Sequence, residues 1–449
     1  MGKYFGTDGF RGEAGVTLTA DHAYRIGRFL GRHFSEGGRK SVRVAIGKDT
    51  RRSSYMLEYA TAAGLVASGA DVYLLHVTTT PSVSYVVASE GFDCGVMISA
   101  SHNPFSDNGI KLVNRYGEKA DDELIALIED YLDAEFPDLP YAVGEQIGKV
   151  IDHTAGRNRY LGYLISLPHH SFRSFRIGLD CANGSAWMLA KAVFDALGAY
   201  TEVIHASPDG LNVNRNAGST HIEALCELVR ERRLDIGFAF DGDADRCLAV
   251  DENGQVVNGD HILYILARYL SARNELAHDT VVTTVMSNLG LYRALKDIGL
   301  DSVQTNVGDR FIWECMREQG YSLGGEQSGH VILSKYATTG DGILTALLLM
   351  EAVIESRAPL SKLASPVRML PQVTVNVRVA DKARAMQDAD VRKALEHAGE
   401  KLGNDGRILL RESGTEPVLR VMVEAPTETE CQKIAESVAE VIRNLEKTG

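Results

Sequence analysis

Short apolar runs that stop abruptly in small polar residues recur along this chain, with helical patterns between them. The run at 94–98 ends in the sequence SASHNP at 99–104, which cannot continue a strand because proline lacks a donor and restricts the residue before it. Alternation of such runs with helices predicts a mostly parallel sheet covered by helices. Ser101 is therefore expected in a loop at the carboxyl end of a strand, where ligands bind in open α/β sheets. An ordinary turn is an alternative, because Ser, Asn and Pro are common turn formers.

Three such α/β sets and a shorter last unit follow one another. The predicted strands of the three sets are 42–46, 72–75, 94–98, 175–179, 202–205, 236–240 and 281–285, and the predicted helices start near 19, 53, 186, 222, 261 and 342. The last unit has predicted strands at 373–379, 407–410 and 418–423, a long helix that ends near 402 and a C-terminal helix. Because domains average roughly 150 residues, a length of 449 residues predicts about three domains, or four smaller ones.

Composition excludes several classes of protein. The chain has 45% hydrophobic and 24% charged residues, which is typical of a globular protein, and its net charge of -13 argues against a nucleic-acid coat. The longest uncharged stretch, 72–89, contains His76 and Pro81 and is a poor membrane span. The six cysteines are scattered without a Cys-x-x-Cys pair, so we expect buried thiols in a reducing cytosol.

Three carboxylates at alternate positions follow the predicted strand 236–240. Asp241, Asp243 and Asp245 can converge on one hard cation, and the small number of protein oxygens suits Mg²⁺ with a phosphate as a further ligand. Arg246 beside them supplies positive charge for the same phosphate. A solvated acidic turn is an alternative. An EF-hand is disfavoured, because Arg246 occupies the position of the turn-forming glycine and strand-like runs flank the loop.

Two further polar loops join strand-like runs. In GGEQSGH at 324–330, Glu326 and Ser328 stand two residues apart and offer an acceptor and a hydroxyl suited to sugar hydroxyls, or belong to a glycine hairpin. RESGTEP at 411–417, with Arg420 beyond it, predicts an anion nest for a phosphate, or a plain connecting loop. The chain lacks the glycine motifs of nucleotide sites, and Ser101 lacks the flanking glycines of a hydrolase elbow, so acyl transfer is not expected.

Together these motifs resemble the α-D-phosphohexomutase superfamily over essentially the whole chain and in the family's order. FGTDG near the N-terminus with Arg11 is similar to the family's first signature, and the four loops above are similar to its phosphoserine, metal, sugar and phosphate loops. Any one motif is weak, but five in sequence are specific. The resemblance implies three related α/β domains with mixed sheets flanked by helices and a smaller α+β C-terminal domain, with bounds that we set at 1–152, 153–253, 254–367 and 368–449.

The resemblance also implies a role for each motif residue. Ser101 is the phosphorylated residue, and Mg²⁺ is expected to bind Ser101, Asp241, Asp243 and Asp245. The expected catalytic residues are Ser101, Lys111, Arg11, Arg246 and His102, and the expected substrate-binding residues are Glu326, Ser328, His330, Arg411, Ser413, Gly414, Thr415 and Arg420. Lys111 is similar to a residue proposed for proton transfer. Asp309 stands where some relatives carry His, which leaves the general acid and base open.

The implied activity is interconversion of glucosamine 6-phosphate and glucosamine 1-phosphate through phosphorylated Ser101 and a 1,6-bisphosphate, which supplies UDP-N-acetylglucosamine for cell-wall synthesis. Glucose and mannose phosphates are alternative substrates. A glucosamine or glucose 1,6-bisphosphate is the expected activator, and a kinase or autophosphorylation is expected to load the serine first. The resemblance further implies a cytoplasmic homodimer that binds neither nucleic acid nor membrane, and closure of the last unit over the substrate.

Two other readings of the same residues stay open. In a phosphatase or mutase of the haloacid-dehalogenase type, Asp241 would be the nucleophile, although such enzymes prefer Thr or Val where Asp245 stands. A sugar-phosphate sensor would keep the binding loops and need no phosphoserine. Phosphate on Asp241 would favour the first reading, and binding without isomerisation would favour the second.

Overall fold

The structure is a computed structural model of the chain. It describes residues 2–35, 42–134, 139–413 and 417–448, with side chains up to residue 445. Its contacts divide the chain into two units, one made of 1–286 and 300–365 and the other of 287–299 and 366–449.

The first sheet is built from the N-terminal third of the chain. Its strands and helices are β1 (Phe5–Gly6), β2 (Gly9–Glu13), α1 (Ala20–Ser35), β3 (Val42–Lys48), α2 (Arg52–Ala67), β4 (Ala70–Val77), α3 (Thr80–Glu90), β5 (Cys94–Ile98), β6 (Asp107–Asn114), α4 (Asp122–Asp133) and β7 (Val150–Asp152). The strand order is β1-β2-β6-β5-β3-β4-β7. On α1, Ala23, Ile26 and Leu30 are fully buried and lie on one face of the helix, and Phe34 is partly buried against the same core.

The expectation of a mostly parallel sheet is wrong for this domain. Strand β3 pairs in parallel with β4 and β5, but β6 pairs antiparallel with both β5 and β2. Residues 99–106 join β5 to β6, and this connection is too short for the crossover that a parallel neighbour needs. The sheet is therefore mixed, and the Ser101 loop is a tight return between antiparallel strands.

Two further mixed sheets complete the first unit. The chain continues with α5 (Thr154–Ser166), β8 (Arg176–Asp180), α6 (Ala186–Ala196), β9 (Tyr200–Ile204), α7 (Glu223–Arg232), β10 (Ile236–Phe240), β11 (Cys247–Val250), β12 (Val256–Val257), α8 (Gly259–Ala272), β13 (Thr280–Thr284), α9 (Leu289–Asp297), β14 (Asp301–Thr305), α10 (Asp309–Gln319), β15 (Leu323–Gly325), β16 (Val331–Leu333), α11 (Gly342–Ser356) and α12 (Leu360–Ala364). The strand orders are β12-β11-β10-β8-β9 and β14-β13-β15-β16. Both sheets have parallel centres and an antiparallel edge, since β11 and β16 return beside β10 and β15.

The second unit has a small antiparallel sheet. Its elements beyond α9 are β17 (Gln372–Arg378), α13 (Lys382–Gln387), α14 (Ala389–Leu402), β18 (Arg407–Glu412), β19 (Val418–Glu424) and α15 (Glu428–Thr448). The strand order is β17-β19-β18. Helix α9 belongs here because the amide of Leu289 donates to Oε2 of Glu424 at 2.9 Å. Three α/β domains with mixed sheets and a C-terminal α+β domain are the expected fold class, which is confirmed.

Burial follows the apolar pattern of the sequence. Helix α11 is apolar on all sides, and its residues 342–353 are all buried. All six cysteines are free thiols, and five of them are buried, as expected. Within the described ranges, no helix combines the length and the apolar character needed to cross a membrane.

Candidate active site

Ser101 lies in the return between β5 and β6, fully buried, with its backbone in the left-handed region at φ 51°. A residue with a side chain adopts a backbone of this kind at a cost of about 1–3 kcal/mol, so surrounding contacts must hold it. The amide of Ser101 donates to Oγ of Ser99 at 2.9 Å. Its hydroxyl donates to Oδ2 of Asp241 at 2.5 Å, so the candidate nucleophile points at the predicted metal loop.

The three aspartates of the predicted metal loop converge between β10 and β11. Each of Asp241, Asp243 and Asp245 is buried, and their carboxylate oxygens lie within 4.8 Å of one another. Among the residues that the structure describes, Oδ1 of Asp243 and Oδ1 of Asp245 have no hydrogen-bond partner. A buried acceptor without a donor is costly, and a hard cation would satisfy it. The donor set therefore fits Mg²⁺, which takes carboxylate and phosphate oxygens. Strands rather than helices flank the loop, which excludes an EF-hand.

Burial and mutual repulsion make the carboxylates of this loop unequal. Burial, followed by the charges of Asp245 and Asp243, raises the pKa of Asp241 well above its usual range. Burial acts in the same direction on Asp245, but the charges of Lys111 and His330 outweigh it and hold the pKa of Asp245 well below its usual range. The carboxyl group that accepts the serine hydroxyl therefore holds a proton more tightly than Asp245 does.

Lys111, on β6, lies inside a ring of carboxylates. Its Nζ atom is 2.8 Å from Oδ2 of Asp243, 3.3 Å from Oδ2 of Asp245 and 3.1 Å from Oδ2 of Asp8. Burial lowers the pKa of this ammonium, but the three carboxylates outweigh burial and raise the pKa well above its usual range. Lys111 is therefore a protonated ammonium near neutral pH, and it can donate a proton.

Two guanidinium groups near the serine have unused donors. Arg11, on β2, pairs with Asp8, and Nε of Arg246 lies 4.0 Å from Oδ1 of Asp245. The Nε atoms of both arginines are buried and have no hydrogen-bond partner in the part of the chain that the structure describes. Guanidinium donors bind phosphate oxygens well, so these atoms suit a phosphoryl group on Ser101.

His102 contacts the hydroxyl of the residue before it. Its Nδ1 atom lies 3.3 Å from Oγ of Ser101. Burial, followed by the charges of Arg246 and Arg11, lowers the pKa of His102 to about 4. The imidazole is therefore neutral at pH 7 and acts as a hydrogen-bonding group rather than as a cation.

The predicted sugar loop joins β15 to β16. Oγ of Ser328 donates to Oε2 of Glu326 at 3.2 Å, and the amide of Gly308 donates to Oε1 of Glu326 at 3.3 Å. Both side chains are half-buried. The acceptor and the hydroxyl that the two-residue spacing indicated are thus adjacent to each other and reachable by a ligand.

His330 ends the sugar loop and lies against the metal loop. Its Nδ1 atom is 3.8 Å from Oδ2 of Asp245, and its Nε2 atom is 3.4 Å from Oδ2 of Asp309 and accepts from the amide of Gly340 at 3.0 Å. Burial lowers the pKa of His330, but the charges of Asp309 and Asp245 outweigh burial and raise it. His330 therefore joins the sugar loop to the metal loop and to the start of α10.

Lys119 is a site residue that the sequence motifs did not indicate. Its Nζ atom lies 2.8 Å from Oδ1 of Asp8 and 2.7 Å from Oδ2 of Asp309. Because Lys111 contacts the other oxygen of Asp8, that carboxylate joins two lysines. The partners of Lys119 are 111 and 190 residues away in the chain, so no local pattern could reveal it.

The predicted phosphate loop belongs to the second unit. Arg411 and Arg420 are opposite each other in the β18–β19 ladder, and Nη2 of Arg420 donates to Oγ of Ser413 at 3.3 Å. Burial, followed by the charge of Arg420, lowers the pKa of Arg411. Two neighbouring guanidinium groups favour a bound anion. Gly414 and Thr415 lie outside the described residues.

Four family models match successive parts of the chain. They are phosphoglucomutase/phosphomannomutase alpha/beta/alpha domain I at 2–138, domain II at 158–254, domain III at 258–369 and the C-terminal domain at 375–441.

Known proteins resemble the chain over its full length. The phosphoglucosamine mutase of Lachnospira eligens is 62% identical over 445 residues, 99% of each chain. Among solved structures, a phosphoglucomutase/phosphomannomutase family protein from Burkholderia thailandensis has a TM-score of 0.81 at 26% identity, over 99% of this chain and 98% of that one. N-acetylphosphoglucosamine mutase from Aspergillus fumigatus, in complex with GlcNAc-6P and magnesium, has a TM-score of 0.69 at 18% identity, over 99% and 96% of the two chains.

Proposed function

The chain belongs to the phosphoglucomutase/phosphomannomutase family and, within it, to the phosphoglucosamine mutases, and on this premise we propose how its site catalyses that isomerisation. Phosphorylated Ser101 gives its phosphoryl group to O1 of glucosamine 6-phosphate. The resulting 1,6-bisphosphate turns over in the site and returns its 6-phosphoryl group to Ser101, which releases glucosamine 1-phosphate. The observation that carries the proposal is the 2.5 Å hydrogen bond from Oγ of Ser101 to Asp241, because it joins a hydroxyl to three convergent carboxylates.

Each half-reaction is balanced within the site. In the first, the bond between phosphorus and Oγ of Ser101 breaks while a bond from phosphorus to the sugar O1 forms. The O1 hydroxyl loses its proton and the serine oxygen gains one, so the sum of protons is unchanged. We assign this proton transfer to Lys111, which lies among the carboxylates of the metal loop. Its ammonium gives a proton to the serine oxygen as the bond to phosphorus breaks, and the resulting amine takes the proton that O1 releases. The second half-reaction runs the same step backwards at O6.

Asp241, Asp243, Asp245 and the phosphoryl group on Ser101 would hold Mg²⁺. When bound, the ion supplies positive charge to the oxygens of the transferring phosphoryl group. The argument for it is the pair of buried carboxylate oxygens that have no donor in the described part of the chain. An enzyme of the same fold has been crystallised with magnesium.

Arg11 and Arg246 neutralise the remaining charge of the phosphoryl group. Catalysis of phosphoryl transfer consists mostly of positioning and charge neutralisation, and a well-placed arginine contributes about 10³- to 10⁵-fold in rate. The unused Nε donors of both residues support this assignment. His102, neutral at pH 7, would hydrogen-bond the serine oxygen or its phosphoryl group.

Glu326 and Ser328 would bind hydroxyl groups of the sugar, and His330 would join this loop to the metal loop. In the C-terminal unit we assign phosphate binding to Arg411, Ser413, Gly414, Thr415 and Arg420. Glucosamine 6-phosphate is the proposed substrate and a glucosamine or glucose 1,6-bisphosphate the activator that loads Ser101. We likewise propose that the chain has four domains with the bounds given above, that it forms a homodimer and that it is located in the cytoplasm.

The phosphoryl carrier is tested by mass and by activity. Intact mass of the purified enzyme, after incubation with glucose 1,6-bisphosphate, should show one added phosphoryl group, and peptide mapping should place it on Ser101. The Ser101→Ala variant should lose the added mass and nearly all mutase activity, whereas Ser106→Ala, in the same return, should keep both. Full activity of Ser101→Ala would refute the proposal, and phosphate on Asp241 would favour a haloacid-dehalogenase mechanism.

Substrate preference is tested by direct comparison. With Mg²⁺ and a bisphosphate activator present, kcat/KM for glucosamine 6-phosphate should exceed kcat/KM for glucose 6-phosphate and mannose 6-phosphate. Equal values for the three would assign the site to hexose phosphates in general. Binding of all three without any isomerisation would identify a sensor instead of an enzyme.

A further inference from the structure

Two side chains from different domains donate hydrogen bonds to the backbone around Ser101. Nη2 of Arg51 donates to the carbonyl oxygen of Ser101 at 3.1 Å and to that of Asn103 at 2.6 Å. Nδ2 of Asn214 donates to the same two oxygens at 2.8 and 3.1 Å. The two carbonyls lie on either side of His102, so the loop is fixed immediately before and after the residue that follows the nucleophile.

Arg51 lies between β3 and α2 and is itself held by a buried carboxylate. It is fully buried, and its Nη1 atom pairs with the carboxylate of Asp49. Oδ1 of Asp49 accepts from the hydroxyl of Ser54 at 2.7 Å and from the amide of Arg51 at 3.0 Å. The amide of Asp49 donates to the carbonyl of Ile98, the last residue of β5, at 3.0 Å. The charge of the guanidinium is thus compensated, and its Nη2 atom is left to bind the Ser101 loop.

Asn214 reaches the loop from the second domain. It lies in the connection between β9 and α7, and it is 6% exposed. Its own amide donates to the carbonyl of Ala182 at 2.9 Å, beside the carboxyl end of β8. Gly242 packs on the same point, because a Cβ atom there would lie 2.4 Å from the carbonyl oxygen of Ser101. The nucleophile loop is therefore set against the metal loop by contacts to its backbone.

We propose that Arg51 and Asn214 are positioning residues for phosphoryl transfer. By holding the carbonyls of Ser101 and Asn103 they maintain the left-handed backbone that directs Oγ of Ser101 to Asp241. The inference rests on the proposed function, since it matters only if Ser101 carries the phosphoryl group. Oγ of Ser101 is the leaving group in the first half-reaction and the phosphoryl acceptor in the second. Displacement of the Ser101 loop therefore slows both half-reactions.

The Asn214→Ala variant tests the grip from the second domain. Its kcat should fall about 10- to 100-fold, the effect of a displacement of about 1 Å in a reacting group, while KM for the sugar phosphate changes less than about threefold. The matched control is Asn212→Ala, because Nδ2 of Asn212 also donates to a backbone carbonyl, that of Ser207 at 3.1 Å, away from the loop. Asn212→Ala should keep kcat within about twofold of wild type, a change of less than 1 kcal/mol.

The Arg51→Lys variant tests the grip from the first domain. Lysine keeps the positive charge, but its single nitrogen cannot contact both Asp49 and the two carbonyls, as Nη1 and Nη2 of arginine do. We therefore expect kcat to fall by a similar factor. The matched control is Arg28→Lys, because Arg28 is also buried and its Nη2 donates to two carbonyls, those of Leu139 and Pro140. Arg28→Lys should leave kcat unchanged.

A second readout separates positioning from general loss of structure. In folded Asn214→Ala, the rate of Ser101 phosphorylation by glucose 1,6-bisphosphate should fall by the same factor as kcat. Intact-mass measurements over time give this rate. Wild-type kcat and loading rate in Asn214→Ala would overturn the inference, and so would a loss confined to KM. If Ser101→Ala keeps its activity, the proposed function fails, whereas an inactive Ser101→Ala beside a fully active Asn214→Ala refutes the positioning role alone.

Discussion

The ammonium of Lys111 lies 2.8 Å from Oδ2 of Asp243, so the cluster proposed to hold a divalent cation already contains a monovalent one. In the metal-free protein this ammonium offsets part of the repulsion among the buried carboxylates. With a metal bound it adds a second positive charge close to the transferring group. Lys111 should therefore affect both the stability of the cluster and the chemical step.

Replacing Lys111 with methionine separates these two effects. Turnover should fall about 10²- to 10⁴-fold, the usual contribution of a proton-transfer group. Because Lys111→Met leaves buried carboxylates without their ammonium, added Mg²⁺ should raise its melting temperature more than that of wild type. Thermal melts with and without Mg²⁺ measure this difference. Lys335→Met, which removes an exposed lysine paired with Glu275, serves as control. Equal Mg²⁺ shifts in the Lys111 variant and wild type would contradict the prediction.

Removing one ligand should weaken metal binding. In Asp243→Asn the half-saturating Mg²⁺ concentration should rise about 10- to 100-fold or more, since changes even to groups that only orient ligands cost this much. Activity titrated with Mg²⁺ gives the value. Asp251→Asn is the control. Asp251 is also buried, but its Oδ1 atom accepts hydrogen bonds from the backbone amides of Asn253 and Gln255. An unchanged titration of Asp243→Asn would argue against the metal site.

The absence of a side chain at Gly242 should be essential to turnover. A Cβ atom there would collide with the carbonyl oxygen of Ser101, so Gly242→Ala must push the metal loop and the serine loop apart. We expect a loss of at least about 10²-fold in kcat, with a destabilisation of about 1–3 kcal/mol from overpacking. Gly162→Ala, in helix α5 with open space around the added atom, should be neutral or stabilising. Steady-state kinetics and thermal melts of the two variants give the comparison, and wild-type turnover in Gly242→Ala would contradict it.

Asp341 should make stability depend on pH. It caps α11, accepting from the amide of Leu344 at 3.0 Å and from the hydroxyl of Tyr160 at 2.8 Å. Burial raises the pKa of Asp341 from 3.8 to about 6. The folded protein therefore binds this proton more tightly than the unfolded chain does. The stabilisation that the proton provides is fully present below about pH 4 and is lost as the pH rises through about 6.

The Asp341→Asn variant removes this titration and keeps an acceptor for the amide of Leu344. Relative to wild type, it should gain stability between pH 4.5 and pH 7, by on the order of 2 kcal/mol for a pKa shift of this size. Melting midpoints of both proteins across that range provide the measurement. Parallel pH profiles would show that Asp341 does not titrate in this interval.

The site residues that follow apolar strands could be predicted from the sequence. Asp241 comes directly after the apolar strand β10 and Ser101 comes three residues after the apolar strand β5, and ligands bind at the carboxyl ends of such strands. Strand β6 escaped prediction because it begins with Asp, Asn and Gly, which are depleted in strands. Without β6, the sheet was expected to be mostly parallel, and Lys111 could be assigned only by resemblance.

The supporting residues could not be predicted, because their partners are remote in the chain. Arg51 comes three residues after a recognisable strand, but the carbonyls that it binds are 50 and 52 residues further on. Asn214 lies more than 100 residues from the same carbonyls. Asparagine in a connection between a strand and a helix is common in turns, so its residue type carried no signal. Such roles depend on tertiary contacts that periodicity does not encode.

The short return from β5 to β6 and the four hydrogen bonds on its carbonyls hold the Oγ atom of Ser101 in one position. The reaction nevertheless requires this atom to exchange a phosphoryl group with both O1 and O6 of one sugar. The sugar must therefore make the half-turn. In every catalytic cycle, rotation of the bisphosphate inside the site therefore competes with its release into solution. The ratio of the two rates determines how many turnovers the enzyme completes for each bisphosphate released. After each release, Ser101 must be phosphorylated again before the enzyme is active.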